Sequence, residues 1–255
     1  MSRVAVSRDK LVAIADAVRE KTGTTSVLTL DEIPILLESI KGEDVLAARL
    51  NNSLKNYESA EVVYMGNYAF YGCKALESIN CPSCVELATA VFQNCISLKQ
   101  AYFPSCAVMG GTVFRGCSAL EDINFPVLTA TSTYIFAECV SLKKAYFPEI
   151  VTLGGAAFQN CSQLESAHVL KARSIGAMCF QNCSSLKAVI IEQSSSVCSM
   201  AATTAFAGTP IAEGTGYIYV PAARVNEYKK TTNWTAYASQ ILAIEDYPEI
   251  TGGNV

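Results

Sequence analysis

Apolar positions recur along this chain with a period of 22 residues. Phe70, Phe92, Phe114, Phe136, Phe158 and Phe180 form one column. Cys73, Cys95, Cys117, Cys139, Cys161 and Cys183 form a second, and Leu76, Leu98, Leu120, Leu142, Leu164 and Leu186 a third. Three unvarying columns over six successive units mark an internal repeat. Each leucine opens a run in which apolar positions alternate with polar ones: Leu76, Ile79, Cys81; Leu98, Ala101, Phe103; Leu120, Ile123, Phe125. Alternation with period two predicts a short strand with one buried face. Pro82, Pro104, Pro126 and Pro148 follow directly; a proline there removes a backbone donor and helps to end the pairing. The column Gly72, Asn94, Gly116, Glu138, Asn160, Asn182 reads as a turn position that accepts positive φ.

One such unit cannot bury its apolar stripe alone. Stacked units bury a continuous core, and their strands align into a parallel sheet with a spacing of about 4.8 Å. The runs fit the pattern L-x-x-L-x-L, with Cys84 and Cys106 where the leucine-rich consensus places Asn or Cys. The predicted fold is therefore a β-rich leucine-rich-repeat solenoid of 22-residue coils, with a short helical N-terminal segment and a strand-helix C-terminal cap, α+β overall.

The run Ala157-Phe158-Gln159-Asn160-Cys161-Ser162-Gln163-Leu164 resembles the aF-x-x-C-x-x-L signature of BspA-type leucine-rich repeats, over roughly residues 57–191. Proteins of that family are common on bacterial and some protozoan surfaces. The resemblance implies a curved solenoid with a second, shorter set of strands on the far side in place of regular helices. The column Met65, Leu87, Met109, Thr131, Leu153, Ile175 would supply that second ridge.

A finer period lies on top. Glu77, Lys99, Glu121, Lys143, Glu165 and Lys187 alternate in charge, and Asn80, Tyr102, Asn124 and Tyr146 alternate as well. The underlying unit is a 44-residue pair. Opposite charges on neighbouring coils each contribute about 0.2–1 kcal/mol when exposed, and they oppose a one-unit register slip.

The ends differ from the middle. Residues 1–44 read as a two-helix segment, 45–68 as a degenerate first repeat, 69–193 as the six repeats and 194–255 as a C-terminal cap. Ser7 caps a helix of about residues 8–21, with Leu11, Ile14, Ala15 and Val18 on one face. Thr29 and Glu32 have capping-box spacing and open a second helix to about Lys41. The string from Ile14 to Gly23, followed by Leu28 to Pro34, resembles the opening segment of phage tail and other virion structural proteins. Leu54 and Tyr57 match the Leu76 and Ile79 columns. Phe206 restarts a unit 26 residues after Phe180, Tyr217 to Val220 reads as a final strand, and Val225 to Tyr237 is helical in character around Trp234, a core residue of the cap.

Composition narrows the function. Half of the 255 residues are apolar and 16% are charged, with a net charge of −4. No basic block gives the footprint of a nucleic-acid binder, and no apolar run is long enough to cross a bilayer. Asp16 and Arg19 interrupt the only apolar stretch near the start, so no signal peptide is expected. That predicts a virion or bacterial cytoplasmic protein, with cell-surface exposure left open.

The eleven cysteines suggest metal or disulfide chemistry until the repeat is applied. Cys81-Pro82-Ser83-Cys84 is a C-x-x-C. Yet Cys81 shares the column of Phe103, Phe125 and Phe147, and Cys84 that of Cys106, Leu128 and Ile150. Both are expected in the core as small hydrophobes. Cysteines in register on adjacent coils would hold their Cβ atoms near 4.8 Å, not the preferred ~3.8 Å, so buried free thiols are expected. His168 is the sole histidine, and no G-x-S-x-G, P-loop or G-x-G-x-x-G occurs. No enzyme, cofactor or metal is predicted.

Two outward columns remain for recognition: Ser78, Gln100, Asp122, Lys144, Ser166, Ala188, and Asn80, Tyr102, Asn124, Tyr146, His168, Ile190. The expected ligand face comprises Asn80, Gln100, Tyr102, Asp122, Asn124, Lys144, Tyr146 and His168, all taken to face solvent. The alternative is plain solvated sheet. The expected role is a non-enzymatic scaffold for a protein or surface glycan, virion-associated or adhesive, oligomeric if part of a virion. The alternative role is an intracellular bacterial interaction scaffold.

Overall fold

The computed structural model describes residues 52–193 and 195–251, apart from the side chains of Asp122, Asn124 and Thr251. The helices expected before Lys41, and the segment resembling virion proteins, lie outside the described residues.

The chain winds as a parallel solenoid. Each regular coil gives a three-residue front strand and a two-residue back strand. In chain order these are β1 (Asn56–Glu58), β2 (Tyr64–Met65), β3 (Ser78–Asn80), β4 (Glu86–Leu87), β5 (Gln100–Tyr102), β6 (Val108–Met109) and β7 (Asp122–Asn124). Then come β8 (Lys144–Tyr146), β9 (Thr152–Leu153), β10 (Ser166–His168), β11 (Ser174–Ile175), β12 (Ala188–Ile190), β13 (Ser199–Met200), β14 (Tyr217–Val220) and β15 (Ile241–Ala243). The front strands pair in the orders β1-β3-β5-β7 and β15-β14-β12-β10-β8, and the back strands as β2-β4-β6 and β13-β11-β9. Tyr57 stands opposite Ile79, which stands opposite Ala101, so register equals the sequence repeat. The middle residue of each front strand points inward because the apolar residue sits there: Tyr57, Ile79, Ala101, Ile123, Ala145, Ala167 and Val189 are all buried.

The second ridge is present on the predicted column. Its ladder is interrupted at Thr131, where the back strand shrinks to an isolated bridge between Ala130 and Thr152. The physical cause is local. In neighbouring coils the backbone N–H after the column residue donates to a main-chain carbonyl, as Gly110 N–H to Leu87 O and Gly176 N–H to Leu153 O. Gly154 N–H instead donates to the Thr131 hydroxyl at 2.9 Å.

A third ridge was not anticipated. The N–H groups of Tyr68, Phe70 and Gly72 donate to the carbonyls of Thr89, Val91 and Gln93 on the next coil, and the same set recurs down the solenoid. The chain reaches this geometry through two positive-φ positions per coil. One is the predicted column, with φ from 60° to 72° at Gly72, Asn94, Gly116, Glu138, Asn160 and Asn182. The other is Tyr68, Ala90, Thr112, Tyr134, Ala156 and Met178, with φ from 53° to 60°. Left-handed backbone costs a non-glycine residue about 1–2 kcal/mol, and the coil-to-coil bonds that flank each position offset it.

The core is an aromatic stack. Successive rings of the phenylalanine column lie 5.2–5.6 Å apart from Phe70 through Phe206, with interplanar angles of 19° or less. Such pairs add about 0.5–1.5 kcal/mol each beyond the area they bury. Phe103, Phe125 and Phe147 form a shorter row tilted against it. Tyr57 closes the stack at the front. Trp234 and Tyr237 close it at the back against Phe206. Trp234 is fully buried and its Nε1–H donates to Cys198 O at 2.6 Å, which places it in the core of the cap.

The cap is more extended than expected. Its helical part is broken into α1 (Val225–Tyr228) and a 3-10 stretch, Trp234–Gln240. Tyr217–Val220 is not the final strand, because β15 adds in parallel beside β14. A short 3-10 turn, Ile244–Asp246, and α2 (Pro248–Thr251) follow.

Candidate recognition surface

The front sheet has two regions. On the front strands β1, β3, β5 and β8 of its first part, the residues flanking each buried middle position face outward. Gln100 and Lys144 are exposed. Tyr102 is 44% exposed and Tyr146 54%. Asn80 is half-buried because its amide donates to the Glu58 carboxylate on the preceding coil at 2.8 Å. Ser78 donates to Asn56 in the same way at 2.7 Å. Asp122 and Asn124 lie at the equivalent backbone positions on β7. The Glu/Lys column closes an ion pair between Glu77 and both Lys55 and Lys99, at 3.5 and 3.9 Å.

On the second part, the expectation of exposure fails. His168 is 7% exposed, and Ser166 and Ile190 are buried. The reason is tertiary. After β15 the chain turns onto the front face, and Ile244, Tyr247 and Ile250 pack with Leu170, Ala188, Ile190, Tyr219 and Leu242 in a second apolar cluster. The rings of Tyr219 and Tyr247 meet edge to face at 5.2 Å. The sequence signals of this cover are the apolar ends of both outward columns, Ala188 and Ile190, where earlier coils carry polar residues. His168 packs beside Tyr146 at 5.9 Å. Burial, aided by the Lys144 ammonium, pushes its imidazole below the ordinary histidine value, so it is neutral at pH 7.

At the seam a pocket of about 320 Å³ remains, lined by Ser166, His168, Lys187, Ala188, Ile190, Thr215, Tyr217, Tyr219 and Ile250.

Chemistry elsewhere is sparse. All eleven cysteines are buried, and none forms a disulfide. Burial pushes the Cys81 thiol up to about 12 and Cys84 to about 11, so both are protonated at neutral pH. Among the described residues, no group of three or more His, Cys, Asp or Glu side chains is placed to hold a metal ion. No helix among them is long and apolar enough to cross a membrane.

Comparison with known proteins agrees with this architecture. The chain matches the model of the BspA type leucine rich repeat region, in six copies, over residues 50–165 and 153–215, more than half of its length. It is similar in structure to a leucine-rich repeat protein of T. pallidum, with a TM-score of 0.55 and 19% identity over 61% of this chain and 76% of that one. It is also similar to a leucine-rich repeat protein of Eubacterium ventriosum ATCC 27560, with a TM-score of 0.50 and 20% identity over 61% of this chain and 43% of that one. At such identity the likeness is one of fold alone. No curated protein matches the chain. Fold and family are those of leucine-rich-repeat scaffolds and not of an enzyme family. The chain belongs to the BspA-type leucine-rich-repeat family.

Proposed function

We propose that this protein is a non-enzymatic recognition scaffold that takes a protein partner on the open part of its front face, from β1 to β8. The observation that carries this reading is the pair of half-exposed tyrosines, Tyr102 and Tyr146, beside Gln100 and Lys144. Tyrosine buries a large amphipathic surface at little entropic cost and is enriched at interface hot spots. These side chains stand on strands held rigid by neighbours on either side or by the core, so little order is lost on binding. An adhesive or virion setting is the context we infer. It is supported by the family and by the resemblance of residues 14–34 to virion proteins.

The test is a double variant, Tyr102→Ala with Tyr146→Ala. Cross-linking from bacterial lysate identifies the partner of the native chain, and affinity is then measured against that purified partner. The variant should keep its melting temperature and weaken binding at least tenfold, about 1.4 kcal/mol. Undiminished affinity would overturn the assignment of the face. Mass spectrometry of purified particles decides the setting: absence of the chain there removes the virion context.

A further inference from the structure

The pocket at the seam is separate from the open face, and we infer that it is a binding site for a single sugar ring, the terminal residue of a glycan. This goes beyond the proposed protein-binding face, which lies on earlier coils.

The lining divides by chemistry. Tyr217 and Tyr219 offer aromatic surface, and Ala188, Ile190 and Ile250 complete an apolar wall. Ser166, His168, Thr215 and Lys187 supply the polar groups. A pyranose ring has this same division. Its axial C–H bonds make an apolar face that stacks on an aromatic ring, and its hydroxyls point outward around the edge. A wholly apolar ligand would leave the polar lining unpaired, and a highly charged one would desolvate against the isoleucines.

The polar groups are suited to hydroxyls. Ser166 is the most buried polar residue of the lining, and its Oγ has no hydrogen-bond partner within the protein. Buried hydroxyls are ordinarily paired, so an unpaired one in a pocket wall points to a ligand group that pairs it. Neutral His168 offers one donor and one acceptor, the combination that a sugar hydroxyl satisfies. Lys187 is exposed at the rim and makes no ion pair among the described residues. Size agrees: ligand pockets span about 300–1,000 Å³, and this one lies at the lower end, fit for one ring and not a long chain.

No feature of the repeat requires the pocket. It forms because the chain after β15 folds back over β10, β12 and β14 without filling the space beside Ser166. Ile250, from α2, is its outer wall.

The experiment is saturation-transfer difference NMR on the full chain. The probes are the methyl glycosides of glucose, galactose, N-acetylglucosamine, glucuronic acid and N-acetylneuraminic acid. At least one should give transfer, with a Kd near or below the millimolar range usual for a single small ring. Tyr217→Ala should weaken it at least fivefold, as should Ser166→Ala, with melting temperatures reported for both. Tyr217 is partly exposed, so its variant stays folded and keeps the test decisive if Ser166→Ala unfolds. Tyr102→Ala, on β5 and away from the pocket lining, should leave the sugar signal unchanged, which separates this site from the protein face. Transfer with none of the five probes, or transfer indifferent to Tyr217→Ala, would overturn the proposal.

Discussion

The Cys95 thiol donates to the carbonyl oxygen of Phe70 on the preceding coil at 2.9 Å. The bond recurs as Cys117 to Phe92, Cys139 to Phe114, Cys161 to Phe136 and Cys183 to Phe158, at 3.0–3.2 Å. Cysteine thus occupies its column as more than a small hydrophobe. It fills a site beside the stacked rings and pairs a carbonyl that turns inward at each coil. Each of these carbonyls also accepts a backbone N–H, as Phe70 O does from Cys73, so alanine would leave a void and remove the second of two bonds, and serine would put a stronger dipole into an apolar wall.

Thiol reactivity follows from that burial. At pH 8 the native protein should give essentially no colour with Ellman's reagent. In guanidinium chloride all eleven cysteines should react at once, since none is bridged. A count below eleven after unfolding, corrected only by reductant, would show disulfides. Rapid labelling of Cys81 or Cys84 in the native state would contradict their placement and their raised thiol values of about 12 and about 11.

The paired glycines separate sharply. Gly154 and Gly155 are adjacent and look equivalent in sequence. A Cβ on Gly154 would lie 2.2 Å from Ser132 O and 2.5 Å from Ser132 C, whereas one on Gly155 would find its nearest neighbour, Ala177 O, at 3.5 Å. Gly154→Ala should therefore cost about 3 kcal/mol through forced backbone shifts. Gly155→Ala should stay within about 0.5 kcal/mol of the native protein or gain slightly from reduced freedom of the unfolded chain. Chemical denaturation of both variants checks the contrast, and equal losses would refute the packing of the back ridge.

His168 should couple stability to pH. Its folded value lies below the unfolded 6.5, because burial and then Lys144 oppose the charge. In the window between the two values the unfolded chain binds more protons. Stability from this group is therefore greatest above pH 6.5 and declines as pH falls toward the folded value. The groups beside the imidazole are the Lys144 ammonium and the Tyr146 ring, and it shares the pocket with Ser166, Lys187, Tyr217 and Tyr219. His168→Asn restores the residue that the same column carries at Asn80 and Asn124. Melting temperatures from pH 7.5 to 5 should fall less steeply for His168→Asn than for the native chain. Parallel curves would show that the imidazole is not buried.

Which features were readable from residues follows from the physics of repetition. Register, coil length, the inward columns and the predicted positive-φ turn all depend on contacts between residue i and residue i+22. A repeat writes those contacts into the sequence six times, so subtraction recovers them. The repeat also removed the C-x-x-C from chemistry, since Cys81 stands where other coils carry phenylalanine. The second positive-φ column was hidden, because Tyr68, Ala90, Thr112, Tyr134, Ala156 and Met178 share no side-chain property. Their conformation is imposed by the ladder around them and not by local preference.

The sequence by itself determined the solenoid, its core and the identity of the outward columns, because each follows from a pattern that any one coil shares with the next. Only the tertiary structure decided how much of the front face is open. Tyr102 and His168 occupy the same column, yet one is 44% exposed and the other 7%. The difference comes from Ile244, Tyr247 and Ile250, which lie outside the repeat and bury their apolar surface on the nearest hydrophobic ground, Ile190 and Tyr219. That contact occurs once, between segments with no periodic relation. Hydrophobic burial is non-directional, so no spacing in the chain announces where such a segment will settle.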